Sequence, residues 1–158
     1  MAEPADVLKG LETIRAETLR RLEGLSQQQL DWRPPLEDDG ERGWSLGEVF
    51  MHLAIDEVYL RDLIARPLLQ GIDPPEDLSF YPPPPPHGLS KQVIGFWFER
   101  VRADTRHFIA NWPEDASLRL KHAGGLSPMN GVEWLAGYGG HEAYHHQQID
   151  ALIALVSE

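Results

Sequence analysis

Residues 127–156 read SPMNGVEWLAGYGGHEAYHHQQIDALIALV. Trp134, Tyr138, His141, His145, Gln148, Ile149, Leu152 and Val156 recur three or four apart, the spacing of one face of an α-helix. The helix is expected to begin between Ser127 and Val132 and to run to about Val156. Gly137, Gly139 and Gly140 weaken its middle, each by about 1 kcal/mol relative to alanine. A kink there, or close packing of a neighbour beside the histidines that follow, is expected. His141 and His145 are four residues apart, so they lie about 40° apart around the axis and roughly 6 Å along it.

Working outward, three more segments have helical periodicity. One runs from about Pro4 to Leu25 on Val7, Leu8, Leu11, Ile14, Leu19, Leu22 and Leu25. A second runs from Ser45 to about Ala65 on Leu46, Val49, Phe50, Leu53, Leu60 and Ile64. Its start is the best-defined boundary in the chain, because Ser45 and Glu48 form the S-x-x-E capping box. A third runs from about Ser90 to Trp112, with an aromatic stripe of Val93, Ile94, Trp97, Phe98, Val101, Thr105, Phe108 and Ile109, and ends at Pro113. Between the first two, a single turn is expected at Ser26–Leu30. Pro82 to Pro86 are consecutive prolines, which imposes an extended polyproline II crossover. Residues 117–126 alternate weakly and could form a short strand or hairpin. Four amphipathic helices without a convincing sheet predict an all-α fold, a four-helix bundle with long crossover connections in one domain over residues 1–158.

Composition narrows the functional classes. The 158 residues carry a formal net charge of −11. So acidic a surface repels phosphate backbones and anionic lipid, which argues against nucleic-acid and membrane partners. No apolar run is long enough to span a bilayer, and the start of the chain lacks the pattern of a secretory signal. There are no cysteines, so disulfides, thiolate ligands and a protein-borne thiol nucleophile are excluded. A cytoplasmic protein is the expectation.

Seven histidines are present. His141 and His145 share an inward face, and two neutral imidazoles buried side by side without a partner are costly. A shared metal ion removes that cost; a hydrogen bond across the bundle is the plainer alternative. His52, on the second helix, offers a third imidazole from a facing element, which leaves coordination positions open for water or substrate. His146 points about 100° away from His145. His87 and His122 read as surface residues, and His107 lies off the aromatic line of its helix.

Residues 141–145 also spell H-E-x-x-H, which in zinc proteases places two ligands and a general-base glutamate on one helix. Only thirteen residues follow His145, and the acidic ones among them, Asp150 and Glu158, have no characteristic spacing. A protease is therefore disfavoured, although Glu142 is still a candidate base for another metal-dependent reaction.

A wider pattern uses more of the chain. Trp32-Arg33-Pro34 precedes Trp44-Ser45-Leu46-Gly47-Glu48-Val49-Phe50-Met51-His52-Leu53, and His141-Glu142-Ala143-Tyr144-His145-His146-Gln147-Gln148-Ile149 comes much later. In order and at this spacing the motifs resemble the DinB-like superfamily of DinB/YfiT-like metalloenzymes. In that family W-S-x-x-E-x-x-x-H-L opens the second helix and H-x-x-x-H-x-x-Q-I lies on the last. The resemblance implies a helical bundle with a long crossover and a three-histidine site for zinc, nickel or a similar ion, manganese and iron included. The ligands fall on His52, His141 and His145, and Gln148 falls on the family's glutamine, in a structural or supporting role. The sequence departs from the pattern at His146, where relatives often carry arginine or another polar residue, and in its glycines before His141. Neither change removes a ligand.

The resemblance further implies a homodimer and a metal-dependent thiol transferase in stress response or detoxification. The ion would ionise a low-molecular-weight thiol such as mycothiol, bacillithiol or glutathione, supplied as cosubstrate. No basic cluster lies near the motifs to receive such an anionic thiol; Arg61 and Arg66 are the nearest candidates on the second helix. A metal-dependent hydrolase of a small substrate, with Glu142 as base, and a non-catalytic metal-stabilised stress or binding protein are the alternatives.

Overall fold

The computed structural model describes residues 3–35, 41–70, 72, 84–113 and 129–157. The chain is all-α. Helix α1 (Pro4–Glu23) starts with proline at its first position, where the missing N–H costs nothing. The expected single turn is α2 (Gln27–Asp31), closed by a capping box between Ser26 and Gln29. Helix α3 (Leu46–Tyr59) opens on the predicted Ser45–Glu48 capping box. Helix α5 (Lys91–Ala110) is capped by the Ser90 side chain, and α6 (Gly131–Val156) by a further box between Asn130 and Glu133.

The second predicted helix continues past Ala65. A π-helical turn, Leu60–Ala65, follows α3, and a last turn, α4 (Arg66–Leu69), follows it. Pro67 accounts for the widened turn. Its nitrogen cannot donate to the carbonyl one turn back, and its ring would press on that carbonyl in a regular α-helix. The backbone N–H of Arg66 bonds instead to the Arg61 carbonyl, five residues back. Residues 84–90 follow an irregular path with Pro85 buried. Pro82, Pro83 and the hairpin expected at 117–126 lie outside the described residues.

The four long helices pack in a ring, α1 against α5 and α6, and α3 against the same two. Their interior is layered. Leu22, Phe50, Leu53, Ile94, Phe98, Ile149 and Leu152 belong to one apolar cluster. Val7, Leu11, Ala65, Phe108, Val132, Leu135 and Tyr138 belong to another. At mid-height between them each long helix contributes one buried charge: Arg15, Glu57, Arg102 and Glu142. Helix α6 runs unbroken through its glycines. Close packing is what Gly139 provides. A Cβ on Gly139 would come within 3.2 Å of the Leu11 and Ile14 side chains. Of the predicted stripe on α5, Val93 and Trp97 remain half-exposed, while Ile94, Phe98, Val101, Thr105, Phe108 and Ile109 are buried.

Candidate metal centre

The site is assembled from α3 and α6. The Ser45 hydroxyl accepts the backbone N–H of Glu48, and the Glu48 carboxylate accepts that of Ser45, at 3.3 and 2.8 Å. This cap fixes where α3 begins, and Arg33 secures it through an ion pair to Glu48. His52 stands two turns further on, buried, with the Trp44 ring 4.9 Å from its own. His141 and His145 project from successive turns of α6, with ring centroids 4.5 Å apart. The His52 ring lies 5.4 and 4.9 Å from theirs. One ligating atom from each of the three residues lies within 4.8 Å of the others, so the predicted set converges as a group that could hold a metal ion.

The neighbours orient these rings. Gln148 Oε1 lies 2.7 Å from His145 Nδ1, and its amide nitrogen donates to the Glu41 carbonyl at 2.9 Å. An amide oxygen only accepts, so the His145 ring carries its proton on Nδ1 and leaves a lone pair on Nε2. That Nε2 is buried without a hydrogen-bond partner. A supporting acceptor on the outer nitrogen of a histidine is the usual device for setting its tautomer at a metal. Burial pushes the His52 and His145 imidazoles below their ordinary value of 6.5, outweighing the upward pull of Asp56 on one and Gln148 on the other. Both rings are neutral at neutral pH, the form that ligates. Three clustered imidazoles, one with an orphaned buried lone pair, fit a divalent ion. The His141 side chain is 37% exposed, so the cluster reaches the surface.

Sequence reasoning missed Asp56. Its Oδ2 lies 3.1 Å from His52 Nε2 and 2.7 Å from His141 Nε2, which are themselves 3.3 Å apart. The signal was present as His52-x-x-x-Asp56, the same i, i+4 spacing as the histidine pair on α6.

Glu142 is placed elsewhere. It is fully buried, and its carboxylate accepts from Arg15 Nε at 2.7 Å, from Arg15 Nη2 at 3.2 Å and from the Thr18 hydroxyl at 2.6 Å. The carboxylate therefore belongs to the charged layer and is not among the atoms that converge with the histidines. Helical rotation explains the difference: the residue after His141 is turned about 100° from it, from the α3 side toward α1. His146 is turned the same way from His145, and its Nε2 lies 2.8 Å from the Thr18 hydroxyl. Arg15 also donates to Glu57 at 2.8 Å and to the Tyr138 hydroxyl at 2.9 Å, and Arg102 donates to Glu57 from two nitrogens. Arg61 bonds the Val101 carbonyl, Thr105 and Asp62, and Arg66 bonds Asp62. Both are thus engaged within the fold. His87 and His107 are exposed, and His122 lies outside the described residues. An apolar groove of about 350 Å³ between α3 and α5, lined by Met51, Ile55, Val58 and Trp97 among others, includes none of the three clustered histidines.

All-α architecture with three histidines gathered from two facing helices defines a class of helical proteins with a candidate metal centre. The sequence model of the DinB superfamily matches residues 10–149, which contain every residue of the site, and the chain belongs to that superfamily. Neither the curated proteins nor the solved structures compared gave a match.

Proposed function

We propose that the chain holds one divalent metal ion through His52, His141 and His145 and uses it in a small-molecule reaction, transfer of a low-molecular-weight thiol to an electrophile. The observation that carries the reading is the convergence of three imidazoles on one point, with the buried His145 Nε2 presented bare. The ion would lower the pKa of a thiol or water molecule that reaches it. The protein's own part is to fix the rings: Gln148 sets the His145 tautomer, and the Ser45 cap sets the height of His52. The partly exposed His141 edge gives the substrate access. A thiol must come from a cosubstrate, because the chain has no cysteine. Zinc or nickel suits the three imidazoles best, with manganese or iron next.

Metal-dependent hydrolysis is the second reading. It is weakened by the engagement of the Glu142 carboxylate with Arg15 and Thr18, which leaves it without the base expected of it. A metal-stabilised protein without turnover is the third, and a homodimer is part of the family-based reading. The test begins with elemental analysis of the purified, untagged protein beside His145→Ala. About one equivalent of metal, lost in the variant, is the expected result. The loaded protein should then consume a test electrophile only when thiol is added. Consumption without thiol would favour the hydrolase, and metal-dependent stability without turnover the third reading. Absence of bound metal, with no stabilisation by added zinc, nickel or manganese, would refute the site.

A further inference from the structure

Asp56 sits on the inner side of the histidine cluster. A carboxylate that merely supports a metal-bound histidine bonds the nitrogen turned away from the ion, as Gln148 does at His145. Asp56 Oδ2 instead lies 3.1 and 2.7 Å from the Nε2 atoms of His52 and His141, the two nitrogens that face each other at 3.3 Å. The outer nitrogen of His52, Nδ1, is buried and has no partner, so Asp56 is not its outer support. Two imidazole lone pairs and a carboxylate oxygen this close repel one another unless a proton or a cation lies among them. The Asp56 side chain is only 13% exposed, which limits what water can do to screen that repulsion. It also stands one turn after His52 on the same helix face, as His145 does after His141, so each helix contributes an i, i+4 pair to the neighbourhood of the cluster.

We propose that Asp56 is a fourth protein ligand, making the centre a three-histidine, one-carboxylate site; the inference rests on the metal-binding reading above. Three neutral imidazoles and one carboxylate carry a charge of about −1, which leaves a divalent ion with a single net positive charge. Such a donor set selects a borderline divalent cation such as zinc, iron, manganese, cobalt or nickel over soft copper(I). In a four-coordinate ion it also fills the position that a thiol would take, so substrate must expand the coordination or displace the carboxylate.

The test is titration of the metal-free protein with Co²⁺, followed by visible absorption, for the wild type, His145→Ala, Asp56→Asn and Asp56→Glu. Wild type is expected to bind one ion and His145→Ala to lose it. Asp56→Asn should bind more weakly by at least the roughly 10- to 100-fold that losing an outer support costs. Its ligand-field bands should also differ from those of the wild type, because a ligand has been removed. An Asp56→Asn spectrum superimposable on the wild type's, whatever its affinity, would overturn the ligand assignment and leave the three histidines standing. Failure of the wild type to bind Co²⁺ would overturn both readings. If circular dichroism shows that Asp56→Asn does not fold, Asp56→Glu carries the test. It keeps the charge and moves the oxygen, so shifted bands support ligation and unchanged bands refute it.

Discussion

Replacing Arg15 by methionine tests the charged layer. Arg15 is 3% exposed and makes five hydrogen bonds from its guanidinium: two to Glu142, one each to Glu57, the Tyr138 hydroxyl and the Phe98 carbonyl. The layer is neutral as built, with Arg15 and Arg102 balancing the fully buried Glu57 and Glu142. Methionine fills much of the same volume but leaves two buried carboxylates facing Arg102 alone. Removing one partner from a buried ion pair costs about 3–5 kcal/mol, because the other charge stays desolvated without compensation. For a domain of this size that lowers the Tm by roughly 6–20 °C, at about 2–4 °C per kcal/mol. Urea and thermal unfolding followed by circular dichroism measure both quantities. The double variant Arg15→Met/Glu142→Leu restores neutrality, with Arg102 against Glu57, and should lose clearly less than the sum of the two single changes. A loss below about 1 kcal/mol for Arg15→Met, the size seen for solvent-exposed pairs, would show that water screens the layer and that its burial is not what makes it matter.

The same layer sets an acid limit. Burial alone would raise the Glu57 carboxyl above its ordinary 4.5, but Arg15 and Arg102 outweigh burial and hold it lower. Its stabilisation is therefore complete above the unfolded value of 4.5 and lost as pH falls toward the folded value. The Tm measured across this range should fall on the acid side, and less steeply in Arg15→Met; an equal slope in the two proteins would refute the link. Gly137→Ala and Gly140→Ala meet nothing within 4 Å and should each stabilise by about 0.5–1 kcal/mol in denaturant unfolding. Gly131→Ala should instead destabilise by about 1–3 kcal/mol, because its Cβ would lie 3.2 Å from the Ala65 backbone. Gln148→Ala removes the acceptor that sets the His145 tautomer and should weaken Co²⁺ or Zn²⁺ binding by about 10- to 100-fold in a competition titration, with the helical circular dichroism unchanged.

The parts legible in the sequence were those whose signal is local. Capping boxes at Ser45, helical spacing along α6 and the pair His141/His145 depend only on residues a turn apart, and the structure follows them. The π-helical turn before Pro67 was missed because proline reads as a stop, whereas here the helix widens and continues. Asp56 was missed for a different reason. Its His52-x-x-x-Asp56 spacing is present in the sequence, but among 25 acidic residues such a spacing does not stand out until its partners are known. The charged layer left a trace that an apolar count does not see. On α1 the buried line runs Val7, Leu11, Arg15, Thr18, Leu22, so polar residues occupy core positions in the middle of the stripe. Reading only the hydrophobic residues smooths over that gap. The same interruption falls at Glu57 on α3, Arg102 on α5 and Glu142 on α6. Each interruption is visible alone, but their common height is a tertiary fact.

That common height connects the layer to the candidate centre. Asp56 precedes Glu57 on α3, and His141 precedes Glu142 on α6. In each pair the second residue enters the charged layer and the first, turned about 100° around its helix, faces the histidine cluster. Glu57 and Glu142 are both bonded to Arg15, a donor from a third helix with fixed fork geometry. This leaves α3 and α6 little freedom to slide past each other. Apolar layers alone tolerate such sliding, because any apolar side chain of suitable volume can fill a neighbour's place. Directional bonds from one guanidinium to two carboxylates do not. A shift of one residue along α6, about 1.5 Å, would break the bidentate contact to Glu142 and separate His141 from His52 and Asp56 at the same time. The buried charges, costly in themselves, thereby supply a registry that the ligand geometry needs and an apolar core would not impose.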